Sequence, residues 1–394
     1  MKLLHAIWGA SGERFAWQTS EAQGSICQAI SCVLIDPVQK LAYQTDEMIL
    51  ERHEFSSDNV APICPEAWAG LQEANVHYVP SYGEDRWTAR VCDRVREIFE
   101  TDCDVYFVFT GTAANALALA QLCKSFQSVI CHQHAHIQTD ECGAPEFFTG
   151  GSKLLLVGGA DGKIDIGQVE ALLARHNELH SHKPGAISIS QATEFGTVYS
   201  RDEIAAVADL ARRHQLFLHM DGARFANAIA SLNCAPKAIT WEAGVDVLCF
   251  GGTKNGGAAG ELVIFFDKKI SREFDYRVKQ AGQLVSKMRF LAAPWLGLLT
   301  GDAWLRNAQH ANDAARRLAN GLRKKARIES VFPVEANAVF VSMEERLANG
   351  LHARGWRFYK FIEPNVYRLM CSWATTEKDI SDFVGDVGSI SLNE

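Results

Sequence analysis

The sequence predicts an α/β chain built on a mostly parallel sheet, followed by a smaller α+β domain at the C-terminal end. Three observations carry this. From Cys103 to about residue 295 short β-rich runs alternate with helical segments. Near residue 200 a capped helix stands between two apolar strands. After residue 296 the texture changes to one long helical stretch, short strands and a helical tail. Strand, helix and strand in succession imply right-handed βαβ units in a parallel sheet.

Taken in order, residues 1–47 show no sustained period, and they are read as an N-terminal extension of unknown role. Two readings stay open there: an arm packing on a partner subunit, or a segment ahead of an alternative start at Met48. The run 105–109 reads as a strand ending in Thr110-Gly111-Thr112, with an Ala-rich helix over 113–122 behind it. Runs 129–131 and 154–157 are further short strands. The clearest unit is strand 186–190, the S-x-x-E capping box Ser200-Arg201-Asp202-Glu203, and strand 216–218 running into Asp221. Behind the cap, Ile204, Val207, Leu210 and Ala211 share one helical face. Strand 245–250 leads into Gly251-Gly252-Thr253-Lys254. A long helix is expected over 304–324, with strands near Val339 and Tyr367. The domain boundaries follow: 1–47 as the extension, 48–295 as the large domain and 296–394 as the small one. Residues 48–65 are open to either domain.

Composition narrows the class. At 47% hydrophobic and 22% charged, the 394 residues suffice for a large core and exclude a disordered or collagen-like chain. A net charge of −8 lacks the basic footprint of a nucleic-acid binder. The 11 cysteines are odd in number and contain no C-x-x-C, which argues against a zinc ribbon and a disulfide framework. No run approaches ~18 apolar residues, so no membrane span is expected. The leading run 3–8 is too short for a signal peptide, and a cytoplasmic protein is expected.

Fingerprints of several common chemistries are missing. The sequence holds no G-x-G, no P-loop, no G-x-S-x-G and no H-E-x-x-H. What it does hold are three features at strand ends, where open α/β sheets bind ligands. Thr110-Gly111-Thr112 joins a strand to a helix N-terminus, which is either a plain turn or a phosphate site. Asp221 ends an apolar strand and pairs either with Arg224 or with the ring nitrogen of pyridoxal phosphate. Lys254 lies among small residues after another strand, a setting suited to covalent chemistry on an amine. Together the three favour pyridoxal phosphate as cofactor.

Several segments carry a closer likeness: Ser57-Asp58-Asn59, Tyr82-Gly83-Glu84-Asp85, Thr110 through Asn115, Ala135-His136-Ile137, His219 through Arg224 and Gly252-Thr253-Lys254. From about Phe55 to about Thr376 the chain resembles the low-specificity L-threonine aldolases, which are fold-type-I pyridoxal-phosphate lyases. The stretch Asp140-Glu141-Cys142-Gly143-Ala144-Pro145-Glu146-Phe147-Phe148 is similar to a bacterial subgroup that also cleaves phenylserine-like substrates. The resemblance implies a seven-stranded, mostly parallel sheet and a homotetramer, a dimer of dimers with active sites at subunit interfaces. It implies that Lys254 holds the cofactor covalently and that Asp221 meets its ring nitrogen. Gly111 and Thr112 would bind the phosphate, with Arg289 as an added phosphate contact. His136 would stack on the ring, and Ser57, Arg224 and Arg368 would clamp the substrate carboxylate, with Arg224 also beside the cofactor. Tyr82 would arrive from a neighbouring subunit.

One departure stands out. Many members carry a second histidine after the central strand, where this chain has Glu194. Glu194, His136 or a water would then take the substrate's hydroxyl proton. The implied reaction is retro-aldol cleavage of L-threonine, L-allo-threonine and other L-β-hydroxy-α-amino acids to glycine and an aldehyde. The alternatives are an aldolase preferring aromatic β-hydroxy amino acids and a related β-eliminating lyase. A competitor of another class is a metal-dependent hydrolase using His132, His134 and His136, which would share one face of a strand, with Asp140, Glu141 and Cys142 nearby. No metal is expected in the preferred reading, and the partner is a small amino-acid substrate, with neither nucleic acid nor membrane.

Overall fold

The computed structural model describes residues 53–176 and 178–391. The N-terminal extension over 1–47 and the start at Met48 therefore lie outside the described residues. The strands are β1 (His53–Glu54), β2 (Asp104–Val108), β3 (Gln127–His132), β4 (Lys153–Val157), β5 (Lys183–Ser190) and β6 (Phe217–Gly222). They continue with β7 (Val247–Phe250), β8 (Glu261–Phe265), β9 (Ala338–Ser342), β10 (Trp356–Arg357), β11 (Tyr359–Ile362) and β12 (Val366–Met370).

Seven of them form the central sheet in the order β2-β8-β7-β6-β5-β3-β4. The neighbours from β4 to β7 run parallel, and β8 is antiparallel to both β2 and β7. The expected fold class holds, with this one reversed strand. Every residue of β7 and β8 is buried, as strands covered on both faces require. The capping box is formed: Ser200 Oγ accepts from Glu203 N at 3.2 Å, and Ser200 N donates to Glu203 Oε2 at 2.7 Å. That fixes the start of helix Arg201–Arg213 and so the crossover from β5 to β6, which pair with Ser190 opposite Asp221.

Several elements differ from the sequence expectation, among them strands β1, β10 and β11, which it does not contain. Strand β8 is not among the expected strands. Helix Arg289–Leu299 contains Pro294, a residue that argues against a helix when read locally. Strand β7 starts at Val247 rather than residue 245, because Val245 N–H turns back to Thr240 O and Asp246 N–H joins Leu218 O.

The smaller C-terminal layer is an antiparallel sheet in the order β11-β12-β9, backed by helices Ala303–Ala326 and Glu377–Ser391. A short segment from the other end of the described chain joins it. β1 pairs with β10, Phe55 stacks on Trp356 at 5.5 Å between ring centres, and Met370 N–H donates to Phe55 O at 2.8 Å. This anchoring carries Ser57, Asp58 and Asn59 to the rim of the central sheet, beside Arg224 and Asn337, which both bond Asp58.

Candidate active site

The carboxyl ends of β6 and β7 and the first turn of helix Gly111–Leu122 enclose a cavity of about 380 Å³. Gly111, Thr112, His136, Asp221, Cys249 and Lys254 all line it. A neighbouring cavity of about 550 Å³ shares Asn59, His136, Asp140 and Lys254 with the first, and adds Ser57, Glu194, Arg224, Tyr359, Phe361 and Arg368.

Anion-binding character comes from the helix end. Thr110 caps it by accepting from Ala113 N at 3.1 Å, which leaves amides of the first turn facing the cavity. A Cβ placed on Gly111 meets no atom within 4 Å, so this glycine is not needed for the packing of the chain itself. Opposite conditions hold at Gly251, where a Cβ would stand 2.4 Å from Ala223 O. That close approach seats the turn carrying Lys254 against the end of β6. The turn is also pinned by Glu261, buried, whose carboxylate accepts from Gly252 N at 2.5 Å. Burial pushes the Glu261 carboxyl above its ordinary range, and the amide bond only partly offsets it.

Asp221 is buried and accepts from Asn115 Nδ2 at 3.0 Å and from Ala223 N at 3.0 Å. Its expected alternative partner is engaged elsewhere. Arg224 Nε and Nη2 grip Asp58 at 2.7 and 2.9 Å, so the Asp221–Arg224 ion pair is not formed. Burial raises the Asp58 carboxyl, and the Arg224 guanidinium more than reverses this, holding it below the usual carboxylate range. Asn337 Nδ2 adds a third bond to Asp58 at 3.0 Å.

Arg368 is 7% exposed and lies over the Tyr359 and Phe361 rings, 4.7 and 5.0 Å from their centres. Its Nη2 reaches Tyr359 OH and Ser56 O, and its buried Nε has no partner among the described residues. Burial and then the neighbouring Arg224 charge lower it to about 10. A buried guanidinium with an idle donor is half of an ion pair, and a carboxylate is the complement.

His136 Nδ1 lies 2.8 Å from Glu141 Oε1, and its Nε2 lies 3.5 Å from the exposed Asp140. Glu141 Oε1 also accepts from Asn115 Nδ2 at 2.8 Å. The Glu141 bond raises the His136 imidazole above its ordinary range, against burial, and burial raises the Glu141 carboxyl in turn. Glu194 is half-buried in the second cavity.

Two expected residues stand apart from both cavities. Tyr82 is 49% exposed under Lys279, 5.0 Å from its ring centre. Arg289 Nη1 is bound to the carbonyls of Val76 and His77 at 3.4 and 3.1 Å. The histidine triplet does not converge as a metal site. His132 Nδ1 accepts from His134 N at 3.2 Å and its Nε2 faces Gly159 O at 3.3 Å, so both ring nitrogens are committed. Asp58, Asn115, Glu141 and Glu261 belong to the site and were not among the expected residues. Asp58, Asn115 and Glu141 lie within the segments that carry the resemblance, where only burial of a polar side chain distinguishes them.

The β-eliminating lyase family model matches residues 54–346. The chain belongs to this family. It is 51% identical over 340 residues to a low specificity L-threonine aldolase of Pseudomonas sp. strain NCIMB 10558, covering 86% of this chain and 98% of that one. A second, from Pseudomonas aeruginosa, is 53% identical over 334 residues, covering 85% and 96%. Among solved structures a threonine aldolase of Leishmania major superposes with a TM-score of 0.81 at 28% identity, covering 86% of this chain and 99% of that one. The resemblance read from the sequence thus holds across nearly the whole described chain.

Members of this lyase family depend on pyridoxal 5′-phosphate, and the residues here fit it. Asp221 is a buried carboxylate with no described cation beside it, which suits a protonated ring nitrogen. Lys254 offers an amine to the same cavity, and Gly111 leaves open space at a helix N-terminus, where a phosphate is favoured.

Proposed function

We propose that this member of the β-eliminating lyase family is an aldehyde-lyase that cleaves L-threonine and L-allo-threonine, and other L-β-hydroxy-α-amino acids, to glycine and an aldehyde. The observation that carries the reading is one continuous pair of cavities. It joins a lysine, a buried aspartate and an open helix N-terminus to a guanidinium with an idle donor. Relatives at 51% and 53% identity that bear the name low specificity L-threonine aldolase support the same reaction.

The roles follow from position. Lys254 would hold the cofactor, Asp221 would meet its ring nitrogen, and the Gly111 and Thr112 amides would take its phosphate. Bound pyridoxal phosphate supplies the electron sink for the pair released as Cα–Cβ breaks. Arg368, with Ser57 beside it, takes the substrate α-carboxylate, while Arg224, neutralised by Asp58, borders the pocket. Clamping the carboxylate fixes rotation about Cα, so the Cα–Cβ bond can be held in the productive orientation. His136 and Glu194 face the space left for the hydroxyl and are the groups placed to take its proton.

In the same reading residues 296–394, joined by the segment around β1, form the small domain, the described residues from there to 295 form the large one, and the molecule is a cytoplasmic homotetramer. Tyr82, exposed and outside this chain's cavities, and Phe109, 44% exposed at the cavity edge, support a site completed by a neighbouring subunit. Arg289 then contributes through the Val76–His77 carbonyls it holds. Purified full-length protein with pyridoxal phosphate and L-threonine is expected to release glycine and acetaldehyde in equal amounts. Acetaldehyde without glycine, or neither, would refute the function.

A further inference from the structure

Glu141 has no task in the chemistry above, yet it is a buried carboxylate in direct contact with His136. Its side chain is fully buried, and no described Lys or Arg lies within ion-pair distance of it. A buried carboxylate without a cation is unfavourable unless hydrogen bonds hold it. Two do, and both meet at Oε1: His136 Nδ1 at 2.8 Å and Asn115 Nδ2 at 2.8 Å. Oε2 is buried without a partner.

The same Asn115 amide donates to Asp221 Oδ2 at 3.0 Å. His136, Glu141 and Asp221 bring their polar atoms within 4.8 Å of one another, but an amide donor at their centre makes a hydrogen-bond network rather than a ligand set. The charged groups that face His136 are Glu141 at Nδ1, Asp140 at Nε2, and Asp221, Glu194 and Lys254. Asp140 is 82% exposed and 3.5 Å away, so water screens it; the buried Glu141 contact is the one that orients the ring.

We propose that Glu141 is a positioning residue: it takes the Nδ1–H of His136 and so leaves the Nε2 lone pair open to the cavity, where it accepts the substrate's β-hydroxyl proton. The proposal rests on the retro-aldol reading above. In that step the O–H proton passes to Nε2, and the oxygen's electron pair forms the aldehyde C=O. The Cα–Cβ bond breaks, and its pair stays with the glycine fragment until Cα takes up a proton. Glu141 moves no proton to substrate. It sets the tautomer and raises the basicity of the ring, as a carboxylate behind a histidine does elsewhere. Through Asn115 the same network fixes Asp221, so one side chain aligns the ring nitrogen's partner and the base.

The test is a pH titration of full-length protein carrying ¹⁵N-labelled histidine, with His136 identified by the signals lost in His136→Asn. Wild type is expected to show the Nδ1–H tautomer. Glu141→Gln is expected to lower the His136 midpoint by about 1–3 units. The acid limb of kcat/KM for threonine should move to lower pH by the same amount, because a weaker base loses its proton at lower pH. Its plateau should fall mainly through kcat, and Glu141→Asp, which keeps the charge, should return the midpoint toward wild type. An Nε2–H tautomer in wild type, or a midpoint and acid limb unmoved by Glu141→Gln, would overturn the proposal. The wild-type tautomer decides even if Glu141→Gln does not fold. Wild type that releases no glycine refutes the function instead, since the imidazole titration is read without turnover.

Discussion

Asp58 and Arg224, 166 positions apart, form a bidentate ion pair with both partners buried. Of the two guanidinium groups at the second cavity, one is thereby neutralised and the other, Arg368, keeps a buried Nε without a partner. Arg368 is therefore the guanidinium left free to take the proposed substrate carboxylate.

Arg368→Ala is accordingly expected to raise KM for threonine, with a loss of about 10- to 150-fold in kcat/KM, the range for a hydrogen bond to a charged group. Steady-state kinetics with threonine and with a smaller β-hydroxy amino acid check it. An unchanged KM would move the carboxylate to Arg224.

Gly111→Ala separates folding from cofactor binding. The added Cβ meets nothing in the protein, so alanine at this first helical position costs no packing. The melting temperature without cofactor should hold, while the affinity for pyridoxal phosphate, read by fluorescence titration, should fall. Unchanged affinity would remove the phosphate from this turn.

His219 gives a pH signature of stability. Its ring is fully buried between Ser188 Oγ at 2.8 Å and Cys249 Sγ at 3.3 Å, and burial lowers it to about 4. A depressed histidine contributes stability in full above its ordinary pKa of about 6.5, and this is lost as pH falls toward 4. The contribution is on the order of 3 kcal/mol. Urea unfolding between pH 7 and pH 4.5 should show that decline, and His219→Gln should flatten it.

The legible part of the molecule is the part written locally. Lys254, Asp221 and Gly111 stand beside apolar runs and small residues, and strand-end position alone brought them into one cavity. The Ser200–Glu203 cap fixed its helix from four residues. Asp58 and Asn115 were silent as site residues because their partners are distant: Asp58 meets Arg224 only once β1 joins the C-terminal layer, and Asn115 meets Asp221 106 positions on. Glu141, only five positions from His136, lacked any pattern marking it as buried. Helix Arg289–Leu299 was hidden by Pro294, which tertiary packing tolerates between buried neighbours. Strand β8 needed its two neighbours to define its reversed direction. The metal alternative at His132, His134 and His136 failed because β3 ends at His132 and His136 opens the next helix, so the three do not share a strand face, and both His132 ring nitrogens are committed.

The most direct measurement is chemical. Full-length protein incubated with pyridoxal 5′-phosphate is reduced with borohydride, digested, and its peptides are mapped by mass spectrometry. The expected result is a single pyridoxyl-phosphate adduct on Lys254, abolished in Lys254→Ala together with glycine release. An adduct confined to another lysine, or a Lys254→Ala protein that still releases glycine from threonine at the wild-type rate, would contradict it.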